Sequence, residues 1–399
     1  MNKLFVEDVE VQGKRVLVRV DFNVPLDEAG EIIDDGRIRA TLPTIENLVS
    51  RGARVILMSH LGRPKGKPNP KLSLAPVSER LGELLRKQVR LAPDCVGPEV
   101  KAMLQGVGTG DVLLLENLRF HKEETKNDSQ FGSQLAELGD LYVNDAFGAA
   151  HRAHASTASA AAHFEQRACG YLLKKELDYL GGALDQPRRP FVAVIGGAKI
   201  SGKIDVIQTL LTRVDTLVIG GGMSYTFFRA MGREVGESLV EESTIPIAEK
   251  ILATLTDEGT AELLLPIDCV SADNFDNNAD RRIVSAEEIP ADRMCLDIGP
   301  KTIELYTEKL HQAQTVVWNG PMGVFEMANF ATGTNAITQA LVEATKAGAT
   351  TIVGGGDSAA AVRAARLDTQ VSHVSTGGGA SLEFLEGKKL PGVEILSDA

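Results

Sequence analysis

Val371–Ala380 reads VSHVSTGGGA, and much of the chain repeats its design. A short apolar run, Val371–Val374, ends in Ser375 and Thr376; three glycines follow, and a helical pattern starts near Ser381 with Leu382, Phe384 and Leu385. A strand that breaks into glycines and then opens a helix presents bare N–H groups at the positive end of a helix dipole. That is an anion cradle, with the Thr376 hydroxyl as an extra donor. The same letters also fit a flexible glycine linker; recurrence of the pattern favours the cradle. Phe191–Ile195 runs into Gly196-Gly197, Thr216–Ile219 into Gly220-Gly221-Gly222, Thr315–Val317 towards Gly320, and Thr350–Val353 into Gly354-Gly355-Gly356. In open α/β sheets ligands sit outside the carboxyl ends of strands, where such turns let backbone approach them. The C-terminal half therefore reads as a nucleotide-sized phosphate site assembled from many turns.

Working outward, the second half adds a strand at Arg293–Leu296 and helices at Ser201–Thr212, Ser243–Leu255, Thr302–His311 and Thr334–Ala347. The first half alternates in the same way, with strands at Arg15–Val20, Arg54–Met58, Val112–Leu115 and Leu141–Val143. Ile38–Ser50, Leu74–Arg86 and Ser129–Leu138 carry apolar residues at helical spacing between them. Continuous apolar strands linked by helices predict parallel pairing with helices on both faces. Tyr171–Asp185 is a further helix, with Leu172, Leu173, Leu177, Leu180 and Leu184 on one face, and Pro187 and Pro190 follow before the next strand. The domain boundary belongs there.

At 399 residues the chain is long enough for two domains of roughly 200 residues. Its net charge of −12 argues against nucleic acid or an anionic membrane as the main partner. A small anionic substrate remains open if the basic residues are gathered locally. The N-terminal stretch carries acids early and lacks an apolar core, so it does not read as a signal peptide, and no apolar run approaches a membrane span. Cys95, Cys169, Cys269 and Cys295 are scattered without CxxC spacing and read as isolated buried thiols of a reducing cytosol, carrying no functional signal.

Three motifs invite other readings. Gly197–Ile204, GAKISGKI, fits G-x-x-x-x-G-K, but a P-loop needs Ser or Thr next to hold Mg²⁺ and Ile204 offers no oxygen. Gly354–Ala359, GGGDSA, matches a loose dinucleotide fingerprint, yet the following strand ends in Ser375 and Thr376 rather than an acid. His151 and His154 would share a helix face and could hold a metal, but no Cys or acid at matching spacing completes the set. A basic pair facing an anion, or plain surface histidines, are the other readings. No G-x-S-x-G elbow and no protein-kinase set is present.

Long ordered motifs decide the matter. VRVDFNVP at 18–25, SHLGRP at 59–64, LENLRFHKEE at 115–124 and DAFGAAHRAHAST at 145–157 occupy the first half. GGAKISGKI at 196–204, GGGMSYTFF at 220–228, VWNGPMGVFE at 317–326, GGGDSAAAV at 354–362 and STGGGASLEFLEGKKLPG at 375–392 occupy the second. In these the chain resembles the phosphoglycerate kinase family along essentially its whole length. Gly202, where the family usually carries an acid, and Ala149, where it has a small hydroxyl residue, are minor departures.

The resemblance implies an α/β fold of two doubly wound domains with mostly parallel sheets and a cleft between them. Residues 1–170 would bind the glycerate, 171–186 would form a linker helix or hinge, and 187–389 would bind the nucleotide. The tail 390–399 would pack back on the first domain. Implied substrate contacts are Asp21, Asn23, Arg37, His60, Leu61, Gly62, Arg63, Arg119, Arg152 and His154, with His151 and Arg19 around them. Arginine suits this task because its planar fork meets phosphate and carboxylate bidentately, although any one of these arginines alone reads as a solvated charge.

On the nucleotide side the resemblance implies Lys199, Lys203, Gly299, Asn319, Glu326, Gly355, Gly356, Asp357 and Ser358, with Asp357 holding Mg²⁺. Glu326 also fits an ordinary helix-entry acid, and Asp357 and Ser358 fit helix capping. Arg37, Lys199, Thr376, Gly377 and Gly378 would stabilise the transferring group. The implied partners are 3-phosphoglycerate or 1,3-bisphosphoglycerate and ATP or ADP, with no nucleic acid and no membrane, in a cytoplasmic monomer. A different small-molecule kinase, a nucleotide dehydrogenase and a non-catalytic binder are the rivals. The last would be expected to lack motif lysines or arginines, and none is missing.

Overall fold

Strands this apolar must bury both faces, which only helices packed above and below a parallel sheet provide. A computed structural model describes residues 2–255 and 261–399. The chain divides into two compact units, Met1–Asp178 with Lys389–Ala399, and Tyr179–Lys388. The division falls inside the helix Tyr171–Asp185, whose two halves go with different units.

In the first unit β1 (Arg15–Val20), β2 (Arg54–Met58), β3 (Val89–Leu91), β4 (Val112–Leu114), β5 (Leu141–Asp145) and β6 (Arg167–Cys169) form one sheet in the order β3-β4-β2-β1-β5-β6. Every pairing is parallel. Alternate residues supply the two faces. Val16, Val18, Val55, Leu57, Val112, Leu114, Leu141 and Val143 pack with Ile38, Ile45 and Leu48 of the helix Gly36–Ser50 and with Val77 and Leu81 of Ala75–Leu85. Leu17, Ile56, Leu113 and Tyr142, on the opposite face, are equally buried.

The second unit repeats the plan. β7 (Phe191–Ile195), β8 (Thr216–Ile219), β9 (Glu262–Leu264), β13 (Thr315–Asn319), β14 (Thr350–Gly354) and β15 (His373–Val374) run parallel in the order β15-β14-β13-β7-β8-β9. β10 (Asp268–Ala272), β11 (Arg281–Ser285) and β12 (Met294–Ile298) stand apart as a three-stranded antiparallel sheet. The strand expected at Arg293–Leu296 belongs to that smaller sheet. Arg293 itself precedes it, buried, with Nε donating to Ser271 Oγ at 3.0 Å and Nη1 to Asp280 at 3.1 Å.

Strand order reverses between β1 and β5 in one unit and between β7 and β13 in the other. Those switch points open crevices at the carboxyl ends of central strands. Two helix starts differ from the pattern. The helix expected at Ser201 begins at Ile204, after Lys203, whose side chain reaches back to the carbonyls of Gly196 and Asn319. The helix expected near Ser381 begins three residues earlier, so Gly378 and Gly379 form its first turn. The helices Pro98–Gln105, Met223–Ala230 and Gly356–Ala364 were not legible as periodic patterns.

Candidate active site

In the first unit, strand ends deliver the polar residues. β1 leads to Asp21 and Asn23, β2 to His60–Arg63, β4 to Asn117 and Arg119, and β5 to His151–His154. Beside these loops lies an open pocket of about 800 Å³, lined by Arg63, Lys65, Arg119, Lys122, Lys126, Arg152 and His154 and by no carboxylate. In a chain of net charge −12, such a pocket is built for an anion.

Asn117, fully buried, shapes the SHLGRP loop: its Oδ1 accepts from Leu61 N–H at 3.2 Å and its Nδ2 donates to the carbonyls of Leu61 and Leu72 at 2.7 and 2.9 Å. Gly62 donates its N–H to Asn23 Oδ1 at 2.8 Å and accepts from Arg119 Nη1 at 2.7 Å. Its φ is +62° and a Cβ there would stand 2.7 Å from Leu72 Cδ2, so any other residue would be strained and would displace the Leu72 side chain. Leu61 and Gly62 thus serve as scaffold, their amides already taken. Arg63 and Arg152 are exposed.

A buried chain of polar groups backs the pocket. Arg37 pairs with Asp21. Arg19 donates to His60 Nδ1 at 3.0 Å and to Ser156 Oγ at 2.9 Å, and Ser156 gives both its hydroxyl and its N–H to Glu124, at 2.6 and 2.9 Å. A guanidinium can only donate, so His60 Nδ1 accepts and the ring proton sits on Nε2. Burial holds His60 well below its usual range, with Arg19, Arg119 and Arg37 acting in the same sense and Asp21 opposing. Burial alone would raise the Asp21 carboxyl, but neighbouring positive charge outweighs it and keeps the group low. With His60 neutral, Arg37 and Arg19 are the charges responsible. Burial also lowers His154 to about 4, helped by Arg19, Arg119 and Arg152. His154 Nδ1 lies 3.7 Å from Glu124 Oε1 and has no hydrogen-bond partner among the described residues.

In the second unit the glycine turns pack backbone on backbone. A Cβ on Gly196 would lie 2.1 Å from the Pro321 carbonyl, and one on Gly320 would lie 2.2 Å from that of Gly196. Beside these turns is a pocket of about 700 Å³ with Leu239, Phe275, Met294, Leu296, Val324 and Met327 on its apolar side. Gly197, Ala198, Gly221, Gly222, Glu326 and Asp357 line its polar side. The size and the mixture suit a nucleoside-sized ligand. Glu326, Asp357 and Lys199 are exposed.

The other expected nucleotide residues hold the frame. Lys203 is half-buried and donates to Gly196 O at 2.6 Å, Asn319 O at 3.0 Å and Asn319 Oδ1 at 2.9 Å, so its three protons are committed. Burial lowers it to about 8, with Asp357 opposing. Ser358 Oγ donates to Gly354 O at 2.8 Å and accepts from Gly320 N–H at 2.7 Å. Gly299 starts the helix Pro300–Gln312, its N–H on the Asp268 carbonyl at 2.9 Å. Gly355, at φ +87°, lets the turn pass the Asn319 amide, and a Cβ on Gly378 would stand 3.3 Å from Gly356 N. The first turns of Gly356–Ala364 and Gly378–Leu385 are therefore neighbours, two positive helix ends together. Gly377 N–H is spent on Ser375 Oγ at 3.2 Å, which leaves the amides of Gly378 and Gly379 as the open donors. Thr376 is half-buried beside them.

Sequence reasoning missed Lys65, Lys122 and Lys126 in the basic pocket, Asn117, Ser156 and Glu124 behind it, and the apolar wall of the second pocket. Phe275, an exposed aromatic within the polar stretch NFDNN, carried a signal; Leu239 and Met294 carried none.

The family model described as phosphoglycerate kinase matches residues 6–388. The chain is 57% identical over 399 residues to the phosphoglycerate kinase of Chloroherpeton thalassium and 58% identical over 401 residues to that of Chloroflexus aggregans, each alignment covering 100% of both chains. Among solved structures, that of phosphoglycerate kinase from Coxiella burnetii matches with a TM-score of 0.89 at 41% identity, and that from Pyrococcus horikoshii OT3 with 0.86 at 32%. Each covers 98% of both chains.

Proposed function

The chain belongs to the phosphoglycerate kinase family, and from that premise we propose how its residues divide the work. The enzyme transfers a phosphoryl group reversibly between 1,3-bisphosphoglycerate and ADP, giving 3-phosphoglycerate and ATP, a glycolytic step. In our reading the triose occupies the first unit, its phosphate on Arg63, Arg119, Arg152 and His154 and its carboxyl end near Arg37, Asp21, Asn23 and His60. The nucleotide occupies the second unit, its base against the apolar wall around Leu239 and Val324 and its ribose near Glu326. Its phosphates meet Lys199 and the helix ends at Gly356 and Gly378. The observation that carries this reading is the acid-free basic pocket of the first unit.

The chemistry needs no general base. In the ATP-consuming direction the nucleophile is a carboxylate, already ionised at neutral pH. The depressed basicity of His60 and His154, a consequence of burial, fits that requirement. What remains is alignment, and neutralisation of charge on the migrating group by Arg37, Lys199 and the open amides of Gly378 and Gly379 beside Thr376. Asp357 is the residue we assign to Mg²⁺: it is exposed on the polar side of the nucleotide pocket and pairs with no cation among the described residues. When bound, the ion would offset phosphate charge. In-line transfer requires the two substrates to meet, and we assign the necessary closure to movement about the helix Tyr171–Asp185. We read the protein as a monomer, and we place it in the cytoplasm, a placement that four free, buried cysteines support.

A coupled assay with 3-phosphoglycerate and Mg-ATP tests the assignment. Arg37→Ala should lower kcat about 10²–10³-fold while calorimetric ATP binding stays at the wild-type value; full turnover in that variant would remove Arg37 from the role.

A further inference from the structure

Neither Cys95 nor His121 takes part in the reaction as read above, and 25 positions separate them in the sequence. The fold brings them together. Asp94 Oδ1 lies 2.5 Å from His121 Nε2, and one ligand atom each from Asp94, Cys95 and His121 lies within 4.8 Å of the others. Among the described residues no other group of histidine, cysteine and acid side chains gathers in this way. We propose that Asp94, Cys95 and His121 form a binding site for a borderline-soft divalent cation of the zinc class, with three protein ligands and a fourth position left to water.

The donor set selects the ion. Thiolate, imidazole and carboxylate together suit Zn²⁺ or Co²⁺, whereas Mg²⁺ and Ca²⁺ take oxygen ligands. Ordinary zinc–ligand distances put tetrahedral donor atoms about 3.4–3.6 Å apart, so the widest separations need to close by about 1 Å, while Asp94 Oδ1 and His121 Nε2, now 2.5 Å apart, open by about as much to admit the ion. Much of its geometry is already fixed. The His121 ring stacks on Phe131, with centroids 4.9 Å apart and planes at 26°. Cys95 N–H donates to Asp94 Oδ1 at 2.6 Å, tying the two neighbouring ligands together. The Glu116 carboxylate stays outside the shell because it accepts from Ser73 Oγ, Leu74 N–H and Asn117 N–H at 2.7–2.8 Å.

The local field favours a cation although the adjoining pocket is basic. The carboxylates of Asp94, Glu124 and Glu116 stand near Cys95, and their negative charge attracts a divalent ion. His121 lines the open pocket, which supplies an entry path. On binding, the Cys95 S–H bond breaks and a sulfur–metal bond forms. The proton leaves to solvent, and the thiol's 2.8 Å hydrogen bond to the Glu116 carbonyl is given up. A proton held on His121 Nε2 leaves in the same way.

The test uses the full chain, stripped with a chelator and titrated first with Co²⁺. One equivalent should produce the near-ultraviolet charge-transfer band of a thiolate–cobalt bond. An equivalent of Zn²⁺ should remove that band, and a large excess of Mg²⁺ should not. Cys95→Ser and His121→Asn should each weaken Zn²⁺ binding by more than the 10–100-fold typical of losing an outer-shell partner, while Cys169→Ser leaves it unchanged. A missing band in the unaltered chain overturns the proposal without any variant having to fold. So does a band that survives in Cys95→Ser, or Zn²⁺ affinity that in both variants equals that of the unaltered chain.

Discussion

Single residues act here through what their position forbids or commits. Gly62 sits in the left-handed region against Leu72, so Gly62→Ala should cost about 1–3 kcal/mol in urea unfolding. It should also raise the KM for 3-phosphoglycerate, since the same turn anchors Arg119 and Asn23. His154 makes an electrostatic prediction. Folded, it titrates near 4 instead of 6.5, so between those values the unfolded chain binds the extra proton. Its contribution is complete above pH 6.5 and is lost as the pH falls towards 4, with a slope of up to about 1.4 kcal/mol per pH unit. Urea midpoints measured from pH 7 to pH 4.5 should fall less steeply in His154→Gln than in the wild type. A parallel decline would place the acid sensitivity elsewhere.

At the scale of an element, the start of the helix Tyr171–Asp185 is held by one buried carboxylate. Asp145 Oδ1 accepts from Leu173 N–H at 3.0 Å, and its Oδ2 accepts from Thr44 Oγ1 at 2.6 Å. Thr44 in turn accepts from Tyr171 N–H at 2.9 Å. Asp145→Ala should cost about 1–3 kcal/mol by leaving buried donors unpaired. Burial raises Asp145 from 3.8 to about 7, so this group's contribution is full below about pH 4 and is lost as the pH rises through 7, the reverse of His154. Asp145→Asn keeps an acceptor and removes the charge, so its stability should depend less on pH between 5 and 8. Denaturant titrations across that range decide it. Element boundaries in the sequence were clear where both faces are buried, as in β1, β2, β7 and β8. They were obscure for β3, β6 and β9, which are edge strands of three residues, and for β11, whose residues are mostly exposed.

At the scale of the molecule, the last residues complete the first unit. Asn144 Nδ2 donates to the Gly392 carbonyl at 2.8 Å, Ser397 N–H to Arg167 O at 2.9 Å, and Leu4 N–H to Ser397 O at 2.8 Å. A Cβ on Gly392 would lie 2.9 Å from Ala150 Cα, next to the loop that carries Arg152. Deleting residues 389–399 should therefore destabilise the first unit and weaken binding of 3-phosphoglycerate, while ATP binding to the second unit persists. Paired calorimetric titrations would show it; equal loss of both ligands would contradict the assignment.

The sequence by itself determined the two α/β sheets, because continuous apolar runs separated by helical ones allow little else, and the strand-end glycines, because no other residue tolerates such close backbone approach. It also carried the long motifs that mark the family. Only the tertiary structure decided which motif residues line a pocket and which bond within the frame. Lys203 reads as a phosphate contact and Ser358 as a phosphate contact or a helix cap, and the structure shows internal hydrogen bonds at both; Glu124, Asn117 and the Asp94–Cys95–His121 group read as nothing. The physical reason is that a polar side chain's role depends on whether its donors and acceptors are satisfied within the fold. That is settled by partners far away along the chain, which local pattern does not encode.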